Sequence, residues 1–247
     1  MTEAGFKEEK AARHALDCSG SLTVLKRRLS RMRSTAQPVW ARSEIANQLA
    51  PRTLIGCWQD VSKADNEAVS LVMGKSYDEV ANLVTQAAAL PDAPLFRVRS
   101  LCSLNSREES WLLLADRLRD DQSATWSDLA VRGLTTDAPQ NGPTRCKRNS
   151  KSHMESYSET LRTGIAETLA LLAAYPAKPG TARPTDSIDV ENLVNRILGG
   201  NPGWQRWAAL RSQLPLLAEA APGPFLDAVK SELRAKKRLG KVRSHTG

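Results

Sequence analysis

Along "SGSLTVLKRRLSRMR", Leu22, Leu25, Leu29 and Met32 recur at i, i+3, i+7 and i+10. That is one stripe of a 3.6-residue period, and it predicts a helix with one buried face. Lys26, Arg27, Arg28, Arg31 and Arg33 fill the other positions. Upstream, Phe6, Ala11, Ala12, Ala15 and Leu16 follow a helical pattern until "DCSG" interrupts it and Ser21 restarts it as an N-cap. Residues 1–35 thus read as a helix-turn-helix. Pro38 closes the unit, because its ring lacks an amide hydrogen and clashes with the preceding turn.

The next stretch, 36–105, is punctuated regularly. Ser62 with Asp65 forms a loose capping box before Ala64, Ala68, Leu71 and Val72, and Gly74 supplies a left-handed stop. Ser76 with Glu79 is a full S-x-x-E box opening a helix that carries Val80, Leu83, Val84 and Ala87 inward, and Pro91 and Pro94 end it. Apolar and polar residues then alternate through "LFRVRSLCSLNS", which predicts short strands over 95–98 and 101–104. Helix, helix, turn, helix, hairpin over 40–105 is the outline of a winged helix-turn-helix. Its third helix, "YDEVANLVTQAAALP", opens on Asp78 and Glu79 and contains no Lys or Arg, so it repels phosphate and is expected to pack on protein.

Residues 106–135 read as two connecting helices. Ser106 and Glu109 box the first, which carries Trp111, Leu114, Ala115 and Leu118; the second is built on Trp126, Leu129 and Val131, with Gly133 as its stop. The polar Pro/Gly-containing stretch 136–152 has no apolar period and predicts a flexible loop. From 153 to 236 a series of helices follows: 154–175 with Leu161, Ile165, Leu169, Leu172 and Tyr157 on one face, 188–198, one that Asn201 caps with Pro202 at its first position, 214–221 and 223–236. Trp204 and Trp207, three apart, read as core and interface aromatics. Residues 237–247 read as a basic, disordered tail. The expected fold class is mainly α: a helix-turn-helix, a winged helix with a small β-hairpin, then a repeat-like helical array.

Composition changes this picture little. In 247 residues, 41% hydrophobic content suits one large domain or two small ones. The formal charge of +8 and pI near 9.5 favour phosphate-rich partners, with weak nucleic-acid contact expected through the basic helix or the tail. Cys18, Cys57, Cys102 and Cys146 show no zinc-ligand spacing, and His14, His153 and His245 stand apart from them. No metal site is expected, and the thiols suit a reducing cytoplasm. No apolar run reaches the ~18 residues of a membrane span, and no signal peptide is visible.

"GKS" at Gly74–Ser76 matches the end of a phosphate-binding P-loop, but Val69 stands where the first glycine belongs, and the preceding segment reads as helix. A cap glycine followed by a capping box explains the same residues. Neither G-x-S-x-G nor H-E-x-x-H occurs, so no catalytic residue, metal ligand or cofactor is nominated and the chain is expected not to be an enzyme.

"SGSLTVLKRRLSR", "PVWARSEI", "ADNEAVSLVMGKSYDEV", "SYSETLRTGIAETLALLA" and "NPGWQRWAALRSQLPLLAEAAPGPFLDAV" occur in that order. Together they resemble the middle of a bacterial antiviral STAND NTPase, a family of large defence ATPases that recognise phage proteins and assemble to switch on an effector. The resemblance covers roughly residues 5–235 apart from the loop at 136–152. It implies that 5–33 correspond to the end of a helical lid, 40–105 to the winged helix and 107–235 to the start of the helical sensor. The effector, the P-loop, the Mg-binding acidic strand and most of the sensor have no counterpart here, so the expectation is a truncated or split copy. Its partners would be other parts of such an ATPase or a phage protein, with no membrane involved.

In a lid of this kind, a hydroxyl at the helix start approaches phosphates and a basic residue one or two turns on senses the terminal phosphate. The resemblance therefore nominates Ser21, Lys26 and Arg27 for nucleotide-phosphate contact. Two other readings of the same helix stand beside it: an amphipathic helix whose cations simply face water, and the DNA-reading helix of a small helix-turn-helix regulator.

Overall fold

The computed structural model describes residues 37–90, 92–135, 156–176, 184–199 and 203–243, with side chains to 234. The helix-turn-helix of 1–35, with Ser21, Lys26 and Arg27, and the loop at 136–152 lie outside the described residues.

The described chain is mainly helical with one small antiparallel sheet. After a 3-10 turn at Val39–Arg42 come two short helices, α1 (Glu44–Leu49) and α2 (Arg52–Ile55), then strand β1 (Cys57–Gln59). Helices α3 (Lys63–Met73) and α4 (Tyr77–Ala88) follow, then the hairpin β2 (Leu95–Val98) and β3 (Leu101–Leu104). Four helices, with β1 between α2 and α3, precede the hairpin, one helix and one strand more than the helix, helix, turn, helix, hairpin order expected from sequence. β1 was not foreseen: three residues, "CWQ", are too short to display an alternation. It exists because it pairs with β3, Trp58 opposite Cys102, in a sheet of order β1-β3-β2.

Local chemistry sets the ends of α3 and α4. The Ser62 hydroxyl accepts from the Asp65 amide, and Gly74 takes φ 62°, ψ 35°, a left-handed conformation that L side chains rarely adopt. Ser76 and Glu79 form the reciprocal capping box. On α3 the inward residues are Ala64, Ala68, Val69, Val72 and Met73, while Leu71, expected inside, faces outward. On α4 Val80, Leu83, Val84 and Ala87 are buried as expected. The β2–β3 turn carries Arg99 at φ 55°.

The second half packs as helices α5 (Arg107–Leu114), α6 (Asp120–Thr135), α7 (Glu159–Ala174), α8 (Val190–Leu198), α9 (Gly203–Ala209), α10 (Leu214–Ala220) and α11 (Pro222–Arg243). Two boundaries differ from expectation. Gly133 does not stop α6, which continues to Thr135; the glycine is buried, and a Cβ there would lie 3.0 Å from Ile165 Cδ1. Its absent side chain admits a neighbouring helix, and that packing offsets a helix-propensity cost of about 1 kcal/mol. The last helix runs to Arg243, past the boundary drawn at 236, because Ala, Leu, Lys and Arg sustain a helix across one glycine.

One apolar cluster joins both halves, with Trp58, Trp111 and Trp126 among its largest enclosed side chains. Leu161, Ile165, Leu169 and Leu172 of α7 are all in it. Trp207 meets Phe225 edge-on at 5.9 Å, whereas Trp204 lies exposed. No described helix is long and apolar enough to cross a membrane.

Candidate functional site

Because Ser21, Lys26 and Arg27 lie outside the described residues, the structure brings none of the sequence-nominated groups together. What it does bring together is a polar junction, unforeseen from sequence, where α7 crosses α2, β1 and the start of α3.

The junction begins with a missing side chain. At Gly164 a Cβ would fall 2.4 Å from the Ile55 carbonyl oxygen and 3.1 Å from the Cys57 amide nitrogen, so α7 approaches the backbone between α2 and β1 at a distance only glycine permits. One turn on, Thr168 Oγ1 donates to the Leu54 carbonyl at 2.8 Å. Arg107 Nη2 donates to Gly164 O at 2.8 Å and to Thr168 Oγ1 at 2.5 Å, while its Nε lies 3.4 Å from Glu167. Burial pulls the Arg107 guanidinium below its ordinary pKa, and Glu167 opposes that shift. Its planar head fills the space beside Gly56, whose φ of +78° and lack of Cβ both suit the site.

Asp65 forms the second anchor. Fully buried, it accepts from the Gln59 amide at 3.0 Å, from the Ser158 amide at 2.8 Å and from the Ser158 hydroxyl. Ser158 in turn caps α7 by accepting from the Leu161 amide at 3.1 Å. The sequence reading paired this carboxylate with Ser62 in a capping box. Only half of that box forms: the Ser62 amide donates to Gln59 O, and the Asp65 carboxylate turns instead to the other half of the chain. Gln59 Nε2 adds a bond to Thr160 Oγ1 at 3.0 Å, and the Cys57 thiol donates to Thr160 O at 3.3 Å. Burial pushes Cys57 up to about 11, so it is a neutral thiol at neutral pH.

Arg52 is the least expected member. It is completely buried, its guanidinium lies 4.3 Å from the Trp58 ring centroid, and none of its three nitrogens has a hydrogen-bond partner among the described residues. Desolvation pulls its pKa down to about 10. The aromatic face supplies part of the stabilisation that water would otherwise give.

Two outward features complete the inventory. The exposed face of α4 is Asp78, Glu79, Asn82, Thr85 and Gln86, without a cation. Between α3, α6 and α8 lies a groove of about 370 Å³ lined by Leu71, Thr125, Asp128, Val131, Arg132 and Arg196, with Arg196 and Asp128 4.0 Å apart.

The "GKS" amides are all committed. Gly74 N–H donates to Leu71 O at 3.3 Å, Lys75 N–H to Ser70 O at 3.2 Å and Ser76 N–H to Glu79 Oε2 at 2.8 Å. Caps therefore occupy the donors a phosphate would need. Among the described residues no group of His, Cys, Asp and Glu is arranged to hold a metal ion. What the junction can do is mechanical: it fixes α7, and the helices packed on it, to α2, β1 and α3.

No family model, curated protein or solved structure matches this chain.

Proposed function

We propose that this chain is a non-catalytic regulatory segment of an antiviral STAND-type ATPase, comprising lid end, winged helix and first sensor helices, with its partners among the other parts of that machine. The observation that carries the reading is the junction on α7. A relay between a nucleotide-dependent lid and a sensor has to transmit position, and Asp65, Arg107 and Gly164 join the winged unit to the helical array through buried bonds and backbone contact. In such a device, target binding shifts a two-state equilibrium by its difference in affinity for the two states, and stiff connections carry that shift.

The cation-free outer face of α4 also supports protein packing over DNA docking for this helix. The competing reading, a small DNA-binding regulator working through residues 5–33, predicts tight duplex binding that weakens steeply with salt. A gel-shift series over salt therefore separates the two. The proposal expects neither ATP turnover nor strong duplex binding by the purified chain, and co-purification with the product of a neighbouring reading frame that encodes a P-loop. Turnover by this chain alone, or a steep salt-dependent duplex shift, overturns it.

A further inference from the structure

We infer that Arg52 is a conformational spring: a buried cation without a counter-charge that keeps the contact between α2 and α7 able to open. The inference rests on the geometry of the junction and is independent of the ATPase reading.

Arg107 and Arg162 show how the other enclosed guanidiniums are held. Arg107 donates to Gly164 O and Thr168 Oγ1 and lies 3.4 Å from Glu167. Arg162 donates to Ala209 O at 3.0 Å and stands 3.7 Å from Glu159. Arg52 has neither kind of partner among the described residues: its Nε, Nη1 and Nη2 all lack an acceptor, and what it meets is the Trp58 ring at 4.3 Å.

The sheet places the neighbours of that ring. Trp58 lies opposite Cys102 on β3, and its Nε1 donates to the Tyr77 hydroxyl at 3.3 Å. These two, with Cys57 next along β1, are the groups near Arg52 able to turn anionic. Burial holds all three above their ordinary pKa values, Cys57 at about 11, so each is neutral at neutral pH. Arg52, at about 10, stays protonated there, and Arg107 opposes its charge with a like one.

An enclosed cation without a counter-charge is costly, and an aromatic face offsets that cost only in part. Hydration removes the cost, so the charge favours any conformation in which water reaches the guanidinium. Helices α3, α5 and α7 pack around α2, and α7 is the one whose contact parts most easily. It holds α2 through the Thr168 hydroxyl on Leu54 O and through the backbone approach at Gly164, which has no side chain to expose on opening. Water replaces such hydrogen bonds at small net cost. The Trp58 side of Arg52 is fixed instead by the β1–β3 ladder and the apolar cluster.

Native-state hydrogen exchange and urea denaturation of the full chain test this with Arg52→Met, which removes the charge, and Arg52→Lys, which keeps one. Arg52→Met should raise the urea midpoint and slow exchange at the Gly56 amide, bonded to Arg52 O, and along α7 by about tenfold more than along α4. Arg52→Lys should slow neither. A lower midpoint or failure to fold in Arg52→Met overturns the inference, because the charge would then be compensated inside, by the ring or by enclosed water. Equal slowing in Arg52→Lys overturns it as well, and so does slowing spread evenly over the chain. ATP turnover and duplex binding enter none of these readouts, so failure here is distinct from failure of the proposed function.

Discussion

The junction at α7 and the outer face of α11 use similar residue types to opposite ends. At the junction, charged and polar side chains are buried and held by specific partners: Asp65 takes three hydrogen bonds, Arg107 reaches two acceptors besides Glu167, and Arg52 lies against the Trp58 ring. On α11, Leu226 and Leu233 stand in water beside Asp227, Lys230 and Arg234. Burying an ionised group is costly unless hydrogen bonds, an opposite charge or an aromatic face compensate it, whereas exposed leucines cost little in isolation. The first region is therefore specified by the fold it belongs to.

Breaking the close approach at the junction should produce the largest effect. Gly164→Val drives side-chain carbons into the Ile55 carbonyl, and a loss of about 3 kcal/mol or outright failure to fold is expected, measured by urea denaturation. By contrast Leu233→Ser on α11 should change stability by no more than about 0.5 kcal/mol in the same assay. If the two substitutions had similar cost, the contrast between the regions would disappear.

Asp65→Ala leaves the Gln59 and Ser158 amides without their acceptor, and an expected loss of about 2–3 kcal/mol would show as a lower urea midpoint. Hydrogen exchange should locate the damage at the start of α7, because Ser158 loses the group that holds it in place. An unchanged exchange pattern there would mean that Asp65 does not connect the two halves.

The smallest effect is expected at an exposed cap. Hydrogen bonds from the Ser76 hydroxyl and amide hold the Glu79 carboxyl below its usual pKa. For a carboxylate lowered by folding, the stabilisation is present above the unfolded value, near 4.5, and is lost as pH falls through the folded one. The Ser76 amide proton shift should titrate with a midpoint below 4.5, and Glu79→Gln should abolish that titration. A midpoint above 4.5 would mean that the reciprocal cap does not form in solution.

Much of the backbone was legible without coordinates. The caps at Ser62, Ser76 and Ser106 and the stop at Gly74 are local chemistry, written in four-residue patterns: each serine hydroxyl accepts from the amide three residues on, and at Ser76 the reciprocal box closes as well. The strands at 95–98 and 101–104 likewise form at the expected residues, although burial alternates along the second and not along the first. The junction was not legible, because its partners are about a hundred residues apart: Gln59 and Thr160, Leu54 and Thr168, Asp65 and Ser158. No signal in "SKAD" distinguishes a carboxylate that caps its own helix from one that clasps another. Gly133 and Gly164 were ambiguous for the same reason, since a glycine in a helical pattern can mark a stop or a close contact.

The sequence alone determined the elements whose causes lie within one or two helical turns: where helices begin, which stripe of each is apolar, and how the charge of the last helix is ordered along its axis. Tertiary structure decided the rest: that "CWQ" becomes a strand, that Leu71 turns outward, that Arg52 is enclosed against Trp58 and that α7 serves as the clamp. The reason is physical. Local elements respond to their own side chains, whereas burial, a third strand and a buried carboxylate's bonds depend on which distant segment arrives beside them.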